Sequence, residues 1–447
     1  MTIDQFIQAL LEEAKKAGIE AAEIYLASSD SFRAMCQQGE INNYTVNTTA
    51  GLSLRGLYQG KMGYAATEAF DESAISQLVD AVKESAELTE DDDVQEIYKG
   101  DAEYPVVDNY QPALDQVDEK VKMDFLLDVE KKAKEKDPRI VQLTYNMIST
   151  RSGEEKIVNS YGLNLSHKDN MLVAVVNVMA KEGEKVSTGG SFMVDRDFAK
   201  LDAQKIADEA VEEALFMLKA SPVPSGTYRA IIHAKCMPDL LGVFSGVFTA
   251  ESAQKGMSLL AGKEGEMIAS EAVTLLDDPL LPGGLASQPF DAEGVATSTK
   301  AVIENGKLTT LLHNLKTARK AGVKTTGNAA KGGYAAPVSV SPSNFYIKPG
   351  EKTLDELMAD MENGLVITEV SGLHAGANPI SGDFSLIAQG YTVKDGKKDA
   401  AVEQITVAGN FYQLLKNIRV VGSDLCFPGS SVGSPSVDVG EVAVAGK

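Results

Sequence analysis

The hydrophobic period of this chain changes at Gly18, and that change constrains the fold more than any other feature. Before it, Phe6, Ile7, Leu10, Leu11 and Ala14 share one face of a helix over residues 3–17, and Gly18 suits the position that caps it. After it, Ala22, Ile24 and Leu26 alternate with polar neighbours. The alternation resumes through SFRAMCQQGEINNYTV, GLSLRGLYQG and KMGYAATEAF, with turn residues between. A period of two puts one apolar face on a sheet, and a helix can cover it. The spacing predicts several short antiparallel strands, then a second helix over 71–87 carrying Ile75, Leu78, Val79 and Val82.

Residues 90–112 open with four consecutive acids, lack periodicity and hold two prolines, which reads as a solvated connector whose charge run is surface rather than a metal site. A helix follows over about 118–136 and stops at Asp137-Pro138, where proline restricts its predecessor. The run MLVAVVNVMA at 171–180 is continuously apolar and is expected to be a central strand buried on both faces. A helix over 203–219 comes next, and Ser221-Pro222-Val223-Pro224-Ser225-Gly226 breaks the pattern at the main boundary. Beyond it, Asn305-Gly306 and Asp395-Gly396 are two-residue hairpin signals, and helices are expected around 236–255, 353–363 and 410–417.

The fold class is therefore α+β: an N-terminal antiparallel sheet with flanking helices, then a mostly antiparallel β domain with a few helices. The expected units are residues 1–88, an acidic connector 89–116, a middle α+β region 117–220 packing with the first unit, and a β-rich domain 221–447.

Charge excludes one class of function. The 447 residues hold 42 Lys+Arg against 64 Asp+Glu, a formal charge of −22, which repels phosphate backbones and disfavours direct nucleic-acid binding. No stretch approaches the roughly 18–20 apolar residues of a membrane helix, and Asp4, Glu12 and Glu13 occupy the place of a signal peptide, so a cytoplasmic protein with no membrane contact is expected. Cys36, Cys236 and Cys426 are too few and scattered for a disulfide framework.

Local motifs are negative. Zinc hydrolysis draws two ligands from adjacent helical turns, yet His167, His233, His313 and His374 are far apart in sequence. His233 and Cys236 make an H-x-x-C pair with no second pair, and read as core or surface residues. Gly429-Ser430-Ser431-Val432-Gly433 has the letters of a nucleophile elbow, but no histidine follows His374, so it reads as a glycine-serine turn. Asp277-Asp278 before Pro279 reads as a turn rather than a catalytic pair. No P-loop order occurs.

Several phrases in order resemble the TldD/PmbA family, the metallopeptidase-related chains also labelled modulators of DNA gyrase. They are AAEIYLASSDSFRAMCQQGEINNYTVNTTAGLSLRGLYQG, EGEMIASEAVTLLDDPLLPGG, TTGNAAKGGY, NPISGDFSLIAQGYTVKDGK, VAGNFYQLLKNIRVVGSDL and PSVDVGEVAVAG. The resemblance implies that a catalytic TldD-type chain carries H-E-x-x-x-H on a helix shortly before the segment matching KGMSLLAGKEGEMIAS, with a cysteine in a late glycine-rich loop. Here the matching positions are Leu241, Gly242 and Gly246, none of which can ligate a metal, and Cys426 sits too early in the late loop to match.

The resemblance therefore implies the TldE/PmbA-like branch: a non-catalytic subunit of a heterodimeric zinc metallopeptidase acting on unfolded or extended peptides. It implies a TldD-type homologous partner, or a homodimer in isolation. No catalytic, cofactor-binding or metal-binding residue is assigned to this chain, and zinc is expected only in the partner. Peptide capture on exposed strand edges of the C-terminal domain is expected, with basic or neutral peptides favoured by the acidic chain. Two alternatives stay open: an autonomous metallohydrolase assembled from His313, His374 and Cys426, and a regulatory binding protein acting on a topoisomerase.

Overall fold

The computed structural model describes residues 1–89 and 95–447; the acidic run Glu90–Asp93 lies outside the described residues. Strands β1 (Ala21–Gln37), β2 (Glu40–Tyr58), β3 (Lys61–Thr67), β4 (Ile140–Asn159), β5 (Asn164–Glu182) and β6 (Lys185–Asp195) form one antiparallel sheet in the order β3-β2-β1-β4-β5-β6. Its strands are long rather than short. β1 and β2 stay in register from Ala21↔Leu57 to Gln37↔Glu40, with one irregularity at Met35/Cys36. The apolar alternation fades after Ala50 towards Glu40 because β2 is exposed there on both faces, so the pattern broke while the backbone continued.

Helices α1 (Ile3–Lys16), α2 (Glu72–Leu88), the single turn α3 (Pro112–Asp115), α4 (Glu119–Lys136) and α5 (Ala203–Met217) accompany this sheet. α1 starts at a reciprocal cap between Thr2 and Gln5, and α2 and α5 start at Asp71 and Asp202, whose carboxylates accept first-turn amides. α1 and α2 bury Phe6, Leu10, Leu78 and Val82 on Ile24, Leu52 and Leu54. α4 and α5 bury Leu126, Val129, Ile206 and Val211 on Phe32, Ala34, Ala174 and Val176. Contact is close: a Cβ on Gly63 would lie 1.8 Å from the Val82 carbonyl, and one on Gly189 would lie 2.3 Å from the Ala210 carbonyl.

MLVAVVNVMA is not buried on both faces. Leu172 is buried and Ala174, Val176, Val178 and Ala180 pack under α4 and α5, whereas Met171, Val173, Val175 and Met179 are only half-buried on the other side. The helices cover one face, and the C-terminal domain reaches only part of the other, where Tyr25, Ile157 and Leu163 meet Phe290, Ala292 and Ala329.

The connector runs along the C-terminal domain. Residues 95–111 form no helix or strand and are largely exposed, as expected of a connector, but they are anchored at a few points. Tyr104 OH donates to the Gly294 carbonyl, Asn109 Nδ2 donates to the Ser287 carbonyl, and Ile97 is buried.

In the C-terminal domain, β7 (Gly226–Ile232) leads into α6 (Met237–Phe244). The further strands are β8 (Leu275–Asp277), β9 (Lys300–Glu304), β10 (Lys307–Leu308), β11 (Ala329–Ala330), β12 (Ser339–Val340), β13 (Phe345–Ile347), β14 (Gly364–Ser371), β15 (Asp383–Lys394), β16 (Lys397–Asn410), β17 (Val420–Val421), β18 (Val432–Gly433) and β19 (Val437–Ala445). The order β16-β15-β14-β7-β19-β17, with β16 also paired to β19, closes five strands into a ring. Closure is narrow, because β16 meets β19 only from Thr406 to Ala408. A smaller sheet, β10-β9-β8-β13-β18, packs beside it through a shared core of Phe248, Val302, Phe345, Leu386 and Val437. Both hairpin signals are realised, with Asn305, Gly306, Asp395 and Gly396 all at positive φ. Among the described residues no helix is long and apolar enough to cross a membrane.

Candidate functional site

The expected helix over 236–255 is broken into α6, a 3-10 turn Ser245–Phe248 and a last turn Ala250–Gln254. Gly242 and Gly246 weaken helix propagation, and Thr249 restarts the chain in extended geometry with its hydroxyl accepting from Ser252 N–H. Pro238 fits the first turn of α6, where its missing N–H is no loss. The buried face is Met237, Leu240, Leu241 and Phe244, and the Phe244 ring stacks on Phe411 at 4.5 Å. Leu241 is wholly buried in this core.

The late loop meets the start of this helix. Ser436 Oγ donates to Asp424 Oδ2 at 2.7 Å and accepts from Ala234 N–H at 3.0 Å, tying the loop to the segment that opens α6. Cys426 and Ser434 exchange backbone hydrogen bonds, and the Phe427 ring packs on Tyr346 at 5.5 Å. Val432 Cγ2 lies 3.9 Å from where a Gly242 Cβ would stand. The positions to which the resemblance assigns a metal site thus carry apolar or absent side chains. A zinc ion does not fit these residues: Leu241 has no donor atom, and Gly242 and Gly246 have no side chain.

The histidines fall on separate elements. His167 is in β5, His233 follows β7, His313 precedes the helix Leu315–Ala321, and His374 lies in the short turn Leu373–Gly376. Burial pushes the His167, His233 and His313 imidazoles below their ordinary value, which favours their neutral form; His233 Nδ1 accepts from Lys235 N–H. Burial also raises all three thiols, Cys36 to about 12, so none is poised as a thiolate. Among the described residues no group of three or more His, Cys, Asp or Glu stands placed to hold a metal ion.

Asp277-Asp278 divides in two. Asp278 makes the turn, accepting from Leu280 N–H, but Asp277 is a fully buried strand end bound by Lys300 Nζ at 2.9 Å, Asn328 Nδ2 at 2.7 Å and Ser343. Its partners come from the paired strand β9 and from the residues before β11 and β13, and no local pattern announces them. Ser430, in the Gly429–Gly433 stretch, only bonds within its own turn, its Oγ accepting from Val432 N–H.

A dense charged cluster lies elsewhere, in the seam between the N-terminal sheet and the C-terminal domain. Arg55 donates to Glu23 at 2.8 Å and to Glu293 at 2.9 Å, all three buried. Glu293 also accepts from Leu315 N–H at 2.8 Å. Lys331 donates to Ser53 Oγ at 2.7 Å and Tyr64 OH at 2.9 Å and sits over the Tyr25 and Tyr64 rings. Burial, then the Arg55 charge, pushes Lys331 down to about 7. Burial, then Glu293, raises Asp291, which accepts the Glu293, Val295 and Ala329 amides. Motif reading missed this cluster. Its only signal was a lone charge inside each of two apolar runs, AAEIYL and LSLRGL.

The chain matches three family models, described as PmbA/TldA metallopeptidase domain 1 over residues 22–87, the central domain over 112–218 and the C-terminal domain over 225–446. A Thermotoga maritima crystal structure, described as a candidate modulator of a DNA gyrase, is 34% identical. It covers 99% of this chain and 100% of its own, with a TM-score of 0.93. A Methanothermobacter thermautotrophicus chain named a metalloprotease is 29% identical over 91% of this chain and 88% of its own. TldE from Thermococcus kodakarensis shares the fold at a TM-score of 0.90 with 22% identity, covering 99% of this chain and 100% of its own.

Proposed function

Because the chain belongs to the PmbA/TldD metallopeptidase family, we propose that it is the TldE-like, non-catalytic subunit of a two-chain zinc peptidase acting on unfolded or extended peptides. The observation that carries this reading is α6 and the turn after it: the segment that would present two ligands and a general base presents Leu241, Gly242 and Gly246 instead. A metallopeptidase needs an ion to polarise the carbonyl and a carboxylate to activate water, and neither can be held at those positions. The zinc belongs to a TldD-type homologous partner, and this chain supplies a wall of the cleft. Its −22 charge favours basic or neutral peptides in that cleft by field alone. The assembly works in the cytoplasm.

The test is metal analysis with a peptidase assay on an unfolded peptide, for the chain alone and mixed with a homologue carrying H-E-x-x-x-H. Zinc and turnover only in the mixture are expected. Stoichiometric zinc with turnover in the pure chain overturns the reading. Cleavage rates that ignore peptide charge remove the charge preference alone.

A further inference from the structure

The surface cavities of this molecule differ in charge. Those of about 460, 800 and 200 Å³ have more acidic than basic side chains in their walls, as expected of a chain with 64 acids against 42 bases. A cavity of about 410 Å³ in the seam between the N-terminal sheet and the C-terminal domain reverses the sign. Among the described residues its wall holds Arg55, Lys255, Lys316 and Lys320 against Glu251 alone. Lys316 and Lys320 stand four apart in the helix Leu315–Ala321 and so share one of its faces. Met62, Pro337 and Val338 give the same cavity an apolar side.

Arg55 adds a second, independent observation. Only 6% of it is exposed; its Nε donates to Glu23 and its Nη1 to Glu293, but its buried Nη2 has no hydrogen-bond partner. A buried donor left unmade is costly, and more so on a charged group. Lys255 is paired with Glu251 at 2.6 Å, and Lys316 and Lys320 have interactions of their own. An incoming anion therefore competes for the ammonium groups and meets the third arm of Arg55 unpaired.

We propose that this cavity binds a small, multiply charged anion, phosphate-bearing or polycarboxylate, with its charged groups against Arg55, Lys316 and Lys320 and its remainder on Met62, Pro337 and Val338. The volume suits a small organic molecule. Guanidinium and ammonium donors give carboxylate or phosphate the strong, charge-assisted kind of hydrogen bond. At long range the −22 chain repels anions, so affinity has to come from these local contacts. Arg55 belongs to the sheet and the lysines to the C-terminal domain, so the ligand bridges the seam and stabilises the fold by mass action. The inference goes beyond the function proposed above and does not depend on a zinc-bearing partner.

Isothermal titration calorimetry of the full chain alone with sodium pyrophosphate, inorganic phosphate and citrate, at matched ionic strength, tests it. Saturable one-to-one binding of at least one of the three is expected, and a preference for pyrophosphate or for citrate tells a phosphate-bearing ligand from a polycarboxylate. Lys316→Gln and Lys320→Gln should each weaken that binding about tenfold, the loss of one charge-assisted contact. Lys185→Gln, at an exposed position on β6, leaves it unchanged. The anion that binds should also raise the melting temperature of wild type, and fail to do so when both Lys316→Gln and Lys320→Gln are present. No saturable binding of any of the three below about 10 mM overturns the proposal; a water joining Arg55 Nη2 to the equally unpartnered Glu23 Oε2 would then satisfy both atoms. Binding indifferent to both lysine substitutions overturns it too, because the anion then sits elsewhere.

Discussion

The helix α6 and the seam around Arg55 are opposites. On the function proposed above, α6 has the framework of a catalytic helix and no chemistry: its inward residues are Leu240, Leu241 and Phe244, and the would-be donor positions on it and in the turn after it are Leu or Gly. The seam has the chemistry expected of a catalytic centre and no such framework. Its charges are tied across two domains: Arg55 of the sheet binds Glu23 of the sheet and Glu293 of the C-terminal domain, and Lys331 of the C-terminal domain donates to Ser53 of the sheet. Perturbed titration marks functional sites only probabilistically, since structural ion-pair networks produce it too. In this molecule the charged cluster fastens two domains, and on the function proposed above α6 stands where the family resemblance implies a metal site in catalytic chains.

The largest expected effect separates the two regions. Arg55→Ala leaves Glu23 and Glu293 buried and unpaired, and breaking one partner of a buried pair costs about 3–5 kcal/mol. Calorimetric unfolding should show that loss. Replacing all three by similar-sized apolar residues should recover most of it, because the desolvation of the charges is then removed as well. If Arg55→Ala melts like wild type, the seam is not a fastener.

Leu241→Ala is next. If the side chain is core, its deletion costs about 2–5 kcal/mol, depending on how far the site collapses, with metal content unchanged. A variant of near-native stability with altered activity in the two-chain assembly would show that Leu241 faces the cleft.

The seam also predicts a pH dependence. Lys331 is held to about 7 in the fold, against 10.5 ordinarily, by burial and Arg55, opposed by Glu23 and Glu155; Tyr25, Tyr64 and Ser53 complete its surroundings. Between those values the unfolded chain binds more protons than the folded one, so the Lys331 contribution to stability rises with pH across about 7 to 10.5. Lys331→Met should flatten that part of the stability profile; a profile with the same slope in both proteins would place the titration elsewhere.

Much of the fold was readable from local physics. Thr2, Asp71 and Asp202 cap their helices, and Asn305-Gly306 makes its hairpin, because each acts through its nearest neighbours. Strand length was not readable: NNYTVNTT is exposed on both faces and has no core side to alternate against. Nor was closure of the C-terminal ring, which depends on Thr406, Val407 and Ala408 meeting Ala445, Val444 and Ala443 far along the chain. The charges of the seam stood out as Glu23 and Arg55 within apolar runs, but their partner Glu293 lies 238 residues from Arg55. The empty positions on α6 became visible only through family resemblance, since leucine and glycine in a helix carry no signal by themselves.

The smallest effect is the finest probe of α6. Gly242 sits inside the helix without positive φ, and a Cβ there would meet only Val432 Cγ2, at an ordinary 3.9 Å. Gly242→Ala should therefore stabilise the chain by about 0.5–1 kcal/mol, through lower unfolded-state entropy and better helix propensity. The same substitution at a position kept small for peptide passage would leave the gain in stability but lower turnover of the assembled peptidase. Measuring the melting temperature of the chain alone and the turnover of the mixture distinguishes a merely vacant ligand position from a cleft that needs the vacancy.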